Sequence, residues 1–233
     1  MKITKEKKLK NKQKLIEVAI ELISKKGYKK TSMSQIAKKA KIGEATIYNY
    51  FPTKEHILYE YYYFVQIQTK EKLINIKDFN TFSLKEQIEI LINTQLEILD
   101  ENRQFILEIY NEIFYKNFNH PDLQKGSDAL IEMVEELIDI SIDAKEIESF
   151  AFNSMMKHLF SDYFFGIIYY WIHDDSEKYD NTTIMIDKSL DVIYAVLQSG
   201  LINKIGDLFS FVIKTHVLSF MKPTKIFSKK VFK

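Results

Sequence analysis

The chain is 233 residues long, 46% hydrophobic and 14% aromatic, enough for one large domain or for a small and a larger one, each with its own core. With only 6 Gly and 3 Pro it lacks the turn-formers of a many-stranded sheet, so an all-α fold is expected; the absence of Cys excludes disulfides, thiolate metal sites and cysteine nucleophiles. The formal net charge of +1 conceals a division: residues 1–60 carry 15 Lys against 6 acids, net +9, and the remainder carries 18 bases against 26 acids, net −8. Such a split suits a small polyanion-binding module on an acidic body, and also a lysine-rich solvated tail.

The opening MKITKEKKLKNKQ is charged and has no apolar core or cleavage site of a signal peptide, so no export is implied and a cytoplasmic location is expected. From Lys12 to Lys26, the positions Leu15, Ile16, Val18, Ala19, Ile20, Leu22 and Ile23 form one stripe that Gly27 closes, predicting a first helix. Ser32-Met33-Ser34-Gln35 reads as a capping box ahead of Ile36, Ala37 and Ala40, predicting a second. Gly43 can cap a third, Glu44 to Tyr50, which Pro52 stops. Two short helices joined by a tight turn make a helix-turn-helix.

The ordered set Gly27-Tyr28, Thr31-Ser32, Ile36-Ala37, Ala40, Ile42 and Thr46-Ile47-Tyr48-Asn49-Tyr50-Phe51-Pro52-Thr53-Lys54-Glu55 resembles the signature of the TetR family of bacterial transcriptional regulators (TetR/AcrR-type) over some fifty residues. The resemblance implies an N-terminal three-helix DNA-binding domain, residues 1–53, on a helical effector-binding and dimerisation domain, residues 54–233. It also implies a homodimer on a double-stranded, inverted-repeat operator, acting as a repressor released by a small hydrophobic effector, with no cofactor, no catalysis and no membrane. Carried over by position, Gly43, Glu44, Ala45, Thr46 and Tyr48 face the bases or nearby backbone, and Ser32, Gln35, Tyr50 and Lys54 hold phosphates. The chemistry fits, since hydroxyls, helix N-termini and lysine set register on phosphates while base edges are read by side chains such as Thr46. Glu44 keeps two readings, a contact to cytosine N4 or plain stabilisation of its helix dipole. Tyr48 and Tyr50 either contact DNA or pack. Lys38, Lys39 and Lys41 add nonspecific attraction, and the segment before Lys12 is expected to be mobile, its lysines brushing the duplex. Lys41 stands where the family commonly has Gly, and Gly43 where a hydroxyl is common. Because the single arginine is Arg103, the head lacks the fork that reads guanine, and an A/T-rich operator is expected.

Further helices are predicted at about 54–76, 83–99, 102–117, 121–142, 145–173, 182–199 and 202–221, broken by polar stretches and Gly200. The longest apolar run, Tyr163 to Ile172, is about half of the roughly 20 residues a membrane span needs. The resemblance places a dimer bundle at about 149–173 and 182–199, where Leu159, Tyr163, Gly166, Ile167 and Tyr170 and then Leu190, Ile193, Tyr194 and Leu197 recur at helical spacing; an intramolecular core uses the same pattern. Phe105, Ile109, Tyr110, Phe114, Met133, Leu137, Phe152, Met155 and Met156 either line an effector pocket or are core. His158 and Asp162, four apart, and His173-Asp174-Asp175 could serve a helical metal-dependent enzyme, but neither has a third ligand. Residues 170–176 resemble a segment of TetR-fold proteins that handle lipids, which leaves a lipid-binding protein as the other alternative.

Overall fold

The computed structural model describes residues 4–113, 121–150, 154–213 and 215. Among the described residues it is all helix, with no strand: α1 (Lys5–Lys26), α2 (Met33–Ala40), α3 (Glu44–Ile47), α4 (Lys54–Ile74), α5 (Leu84–Asp100), α6 (Arg103–Ile113), α7 (Pro121–Asp143), α8 (Ser154–Ile172), α9 (Asp180–Gln198) and α10 (Leu201–Val212). Short 3-10 turns at Phe79–Thr81 and Glu177–Tyr179 precede α5 and α9.

The segment expected to be mobile is helical from Lys5. Thr4 caps it by accepting from Lys7 N, and Lys10 pairs with Glu6 at 2.7 Å one turn away. Gly27, at φ 82, ends α1 with its N–H on Ile23 O, as anticipated. The capping box of α2 is complete: Ser32 Oγ accepts from Gln35 N and Gln35 Oε1 accepts from Ser32 N. Lys41 takes the left-handed turn at φ 57, an arrangement that costs an L-residue on the order of 1 kcal/mol. The third helix is shorter than predicted. After Ile47 the chain tightens, with Asn49 N on Thr46 O and Tyr50 N on Ile47 O, before Pro52. The start of α8 is corrected from 145 to Ser154: Lys145 is left-handed at φ 58, and Glu146, in the following turn, accepts from Leu84 N and from Tyr194 Oη, both at 2.7 Å. A helix there would withdraw that carboxylate from the N-terminus of α5.

The head, α1 to α3, closes over Leu15, Ala19, Ile23, Ile36, Ala37, Ala40, Ile47 and Phe51, all buried. Each large aliphatic so enclosed contributes about 1.5–3 kcal/mol. The same apolar cluster continues into the body, where α4 lies along α5 and α7. Gly126 on α7 permits that closeness, because a β-carbon there would run into the Tyr62 ring of α4. No helix of the described residues is long and apolar enough to cross a membrane.

Candidate nucleic-acid interface and ligand cleft

The residues expected to meet DNA divide into a free set and an engaged set. Ser32, Gln35, Gly43, Glu44, Ala45 and Tyr48 are exposed, and Thr46 is half-buried on α3. The capping box uses acceptor oxygens and one backbone N–H on each side. The Ser32 O–H and the Gln35 amide N–H groups therefore remain as outward donors of the kind a phosphate accepts from. Lys38 and Lys41 extend this face and are exposed.

Tyr50 and Lys54 are engaged within the head. Tyr50 Oη accepts from Asn11 Nδ2 at 2.8 Å. Lys54 Nζ donates to the carbonyls of Tyr28 and Thr31, and lies 3.8 Å from the centroid of the Tyr28 ring. Tyr28 Oη in turn donates to Glu55. Lys54 thus ties the α1–α2 loop to the first turn of α4, a task that takes donors away from a phosphate. Lys12 and Glu60 form a second tie at 2.7 Å, joining α1 to the middle of α4. Lys39 and Lys25 both bond Glu21, which holds that carboxyl down to about 2, mainly through these two hydrogen bonds. The ties through Lys54 and Lys12 link residues 23 to 48 positions apart, and no local signal announces them.

In the body, a cleft of about 570 Å³ opens between the C-terminal part of α4, the Phe79–Thr81 turn, α5 and α7. Of the residues expected in a pocket, Met133 and Leu137 line it, together with Leu73, Leu91 and Ile140. Ile109 faces a separate void of about 10 Å³ beside Tyr62 and Leu99. Phe105 and Tyr110 are core instead: Phe105 meets Tyr61 edge-on at 5.2 Å, and Tyr110 Oη donates to Phe165 O at 2.9 Å. Met156 is half-buried on α8; Phe114, Phe152 and the Met155 side chain lie outside the described residues. The contribution of α4 and the turn before α5 was missed, because Lys70, Leu73 and Asn80 carry no pattern that separates a lining residue from a surface one.

The expected dimer stripe also divides. Ile167, Leu190 and Leu197 are buried in the chain's own core, while Leu159, Gly166 and Tyr170 are exposed. Tyr163 and Tyr194 are half-buried and bonded to Ser189 and Glu146, and Ile193 is half-buried beside them. Tyr169, Ile184 and Val192 complete the exposed apolar face of α8 and α9.

The histidine–carboxylate pairs gain no third member: no group of three or more candidate ligands occurs among the described residues. His158 and Asp162 are exposed, and Asp174 has structural partners in Ser176 and Thr182. Arg103, absent from the head, donates to the Trp171, Ile172 and Asp174 carbonyls at the end of α8 and lies against the Trp171 and Tyr179 rings.

Residues 15–61 match a model described as bacterial regulatory proteins, tetR family, and residues 87–212 one described as tetracyclin repressor-like, C-terminal domain. Among known proteins, the chain is 35% identical over 129 residues to the HTH-type transcriptional regulator YuxN of Bacillus subtilis, a match covering 55% of this chain and 40% of that protein. It is 26% identical over 194 residues to the fatty acid metabolism regulator protein of Bacillus subtilis, covering 82% of this chain and 95% of that one. Among solved structures, a TetR transcriptional regulator from Rhodococcus sp. RHA1 superposes with a TM-score of 0.60 at 19% identity over 79% of this chain and 96% of its own. Thermus thermophilus FadR in complex with lauroyl-CoA does so at 0.57 and 17%, over 77% and 92%. At these identities the structural likeness is one of fold.

Proposed function

The chain belongs to the TetR family of transcriptional regulators, and on that premise we propose that it is a repressor which binds an inverted-repeat operator as a homodimer and is released by a small, largely apolar effector. The observation that carries this reading is the exposed array of Ser32, Gln35, Gly43, Glu44, Ala45 and Tyr48 within residues 1–60, whose net charge is +9. Outward donors and positive potential are what a duplex requires, and the acidic body keeps the rest of the molecule off it. In the proposed docking, α3 enters the major groove and α2 rests on the backbone. Two heads are needed because one short helix reads too few bases, and half-sites one turn apart match a twofold pair.

Without an arginine in the head, the bases are read through Thr46, Tyr48 and groove shape, which favours an A/T-rich operator. The effector occupies the cleft between α4, α5 and α7. It acts by preferring an arrangement of α4 in which the ties through Lys12 and Lys54 hold the two heads at an unsuitable separation. Anisotropy titrations of duplex DNA from upstream of the gene test the reading. Affinity is expected to fall by about 10³-fold or more between 50 and 200 mM salt, as for a protein neutralising six or more phosphates. Selection from a random pool is expected to return an A/T-rich inverted repeat. Failure to bind any duplex at low salt overturns the proposal, and a strict G-rich core overturns its operator.

A further inference from the structure

The interior of the body holds a polar pair with two unmet hydrogen-bonding groups. Gln66 of α4 and Gln95 of α5 are 1% and 0% exposed, and Gln95 Nε2 donates to Gln66 Oε1 at 2.6 Å. Gln66 Nε2 and Gln95 Oε1 find no partner among the described residues. Turning both amides together leaves the same balance, and turning one alone sets like groups against each other and breaks the bond. Two carboxamides joined by one hydrogen bond always leave a donor and an acceptor over. Each orphan carries a desolvation penalty that a pair of methionines or leucines would not incur. Groups kept at such a cost call for a function.

Their position suggests one. Along α4, Tyr62 faces the small void, Gln66 follows one turn later, and Lys70 and Leu73 line the open cleft. Along α5, in the opposite sense, Leu99 faces the void, Gln95 lies one turn back, and Leu91 lines the cleft. By helical register the pair therefore lies between the two spaces, one turn beyond the residues that line the cleft, and it lines neither. The charged lining of that cleft is Lys70, Asp78 and Glu136, with Lys70 already 3.9 Å from Glu136, so it offers no net positive field to an anion.

We infer that Gln66 and Gln95 are the recognition element for the effector, and that they select an apolar molecule ending in an uncharged group that both donates and accepts a hydrogen bond, such as a carboxamide or an alcohol. This rests on the proposed effector role of the cleft. The apolar part lies along Leu73, Leu91, Met133 and Leu137, and its end meets Gln66 N–H and Gln95 C=O, satisfying both orphans at once. A carboxylate cannot take this place, since it only accepts and its burial without a cation costs far more than one amide returns. Because Gln66 belongs to the helix whose first turn holds the head through Lys54, occupation of the pair bears directly on α4.

Calorimetry on the full-length protein without DNA tests this separately from operator binding. Octanamide and 1-octanol are expected to bind, with octanoate at pH 8 at least tenfold weaker. The double variant Q66M/Q95M is expected to melt no lower than the parent and to lose at least tenfold in octanamide affinity; a purely structural pair would instead lower the melting temperature. Should the double variant not fold, Q66M alone is expected to show the same loss. The inference is overturned if octanoate binds as tightly as octanamide, if neither neutral probe binds, or if the variant retains its octanamide affinity. A DNA-binding failure with these binding results intact would sink the regulatory reading and leave the recognition element standing.

Discussion

Asp174 is 6% exposed, and its carboxylate accepts from Ser176 N and Oγ and from Thr182 N and Oγ1 at 2.6 to 2.9 Å. Burial by itself would raise its pKa, but the four hydrogen bonds more than offset this and hold the carboxyl well below the usual range. A folded-state value below the unfolded one means stabilisation that is present above about pH 4 and is lost as pH falls through the carboxylate range. D174N is expected to lower the melting temperature at pH 7 by about 3–6 °C, a gap that narrows below pH 4. Equal melting at pH 7 would show that these bonds do not anchor the start of α9. In the sequence, Asp174 stood in a His-Asp-Asp run that suggested a metal, because its partner Thr182 lies across a loop. Ser32 and Gln35, three apart, could be read correctly, since a capping box is a local contact.

The pairing of α4 with α7 is the element-level feature on which the cleft depends. Gly126 sits where the Tyr62 ring crosses, leaving no room for a methyl group. G126A is therefore expected to cost about 1–3 kcal/mol in urea denaturation, as overpacking does, and adding Y62L is expected to restore part of it. If both variants unfold at the parent midpoint, the two helices are not in the tight contact described. Most of these helices were legible from apolar periodicity. Their ends were less so wherever a distant group decided them, as Glu146 does for the loop before α8 by binding Leu84 N.

At the scale of the molecule, the unresolved balance lies on the face of α8 and α9 that shows Leu159 at 55%, Tyr170 at 41% and Val192 at 65% exposure. Exposed apolar side chains on two adjacent helices suit an association site, and a second copy covers them in the proposed dimer. L159K/V192K is expected to sediment as a monomer with unchanged helical circular dichroism, because neither side chain belongs to the protomer core, and to bind operator at least 100-fold more weakly. A parent that is itself monomeric at micromolar concentration, or a variant that remains dimeric, would place the interface elsewhere.

The sequence by itself determined the helical class, the three-helix head, the glycine that ends α1 and the capping box of α2, because these rest on spacing within one or two turns of chain. Tertiary structure alone decided that Lys54 and Tyr50 have partners inside the head, that Ile167 and Leu190 are core while Leu159 is surface, and that two glutamines meet within the body. The physical reason is that apolar periodicity states which side of a helix avoids water, but not what covers it. A buried polar side chain, likewise, acquires its meaning only from the partner that arrives from elsewhere in the fold.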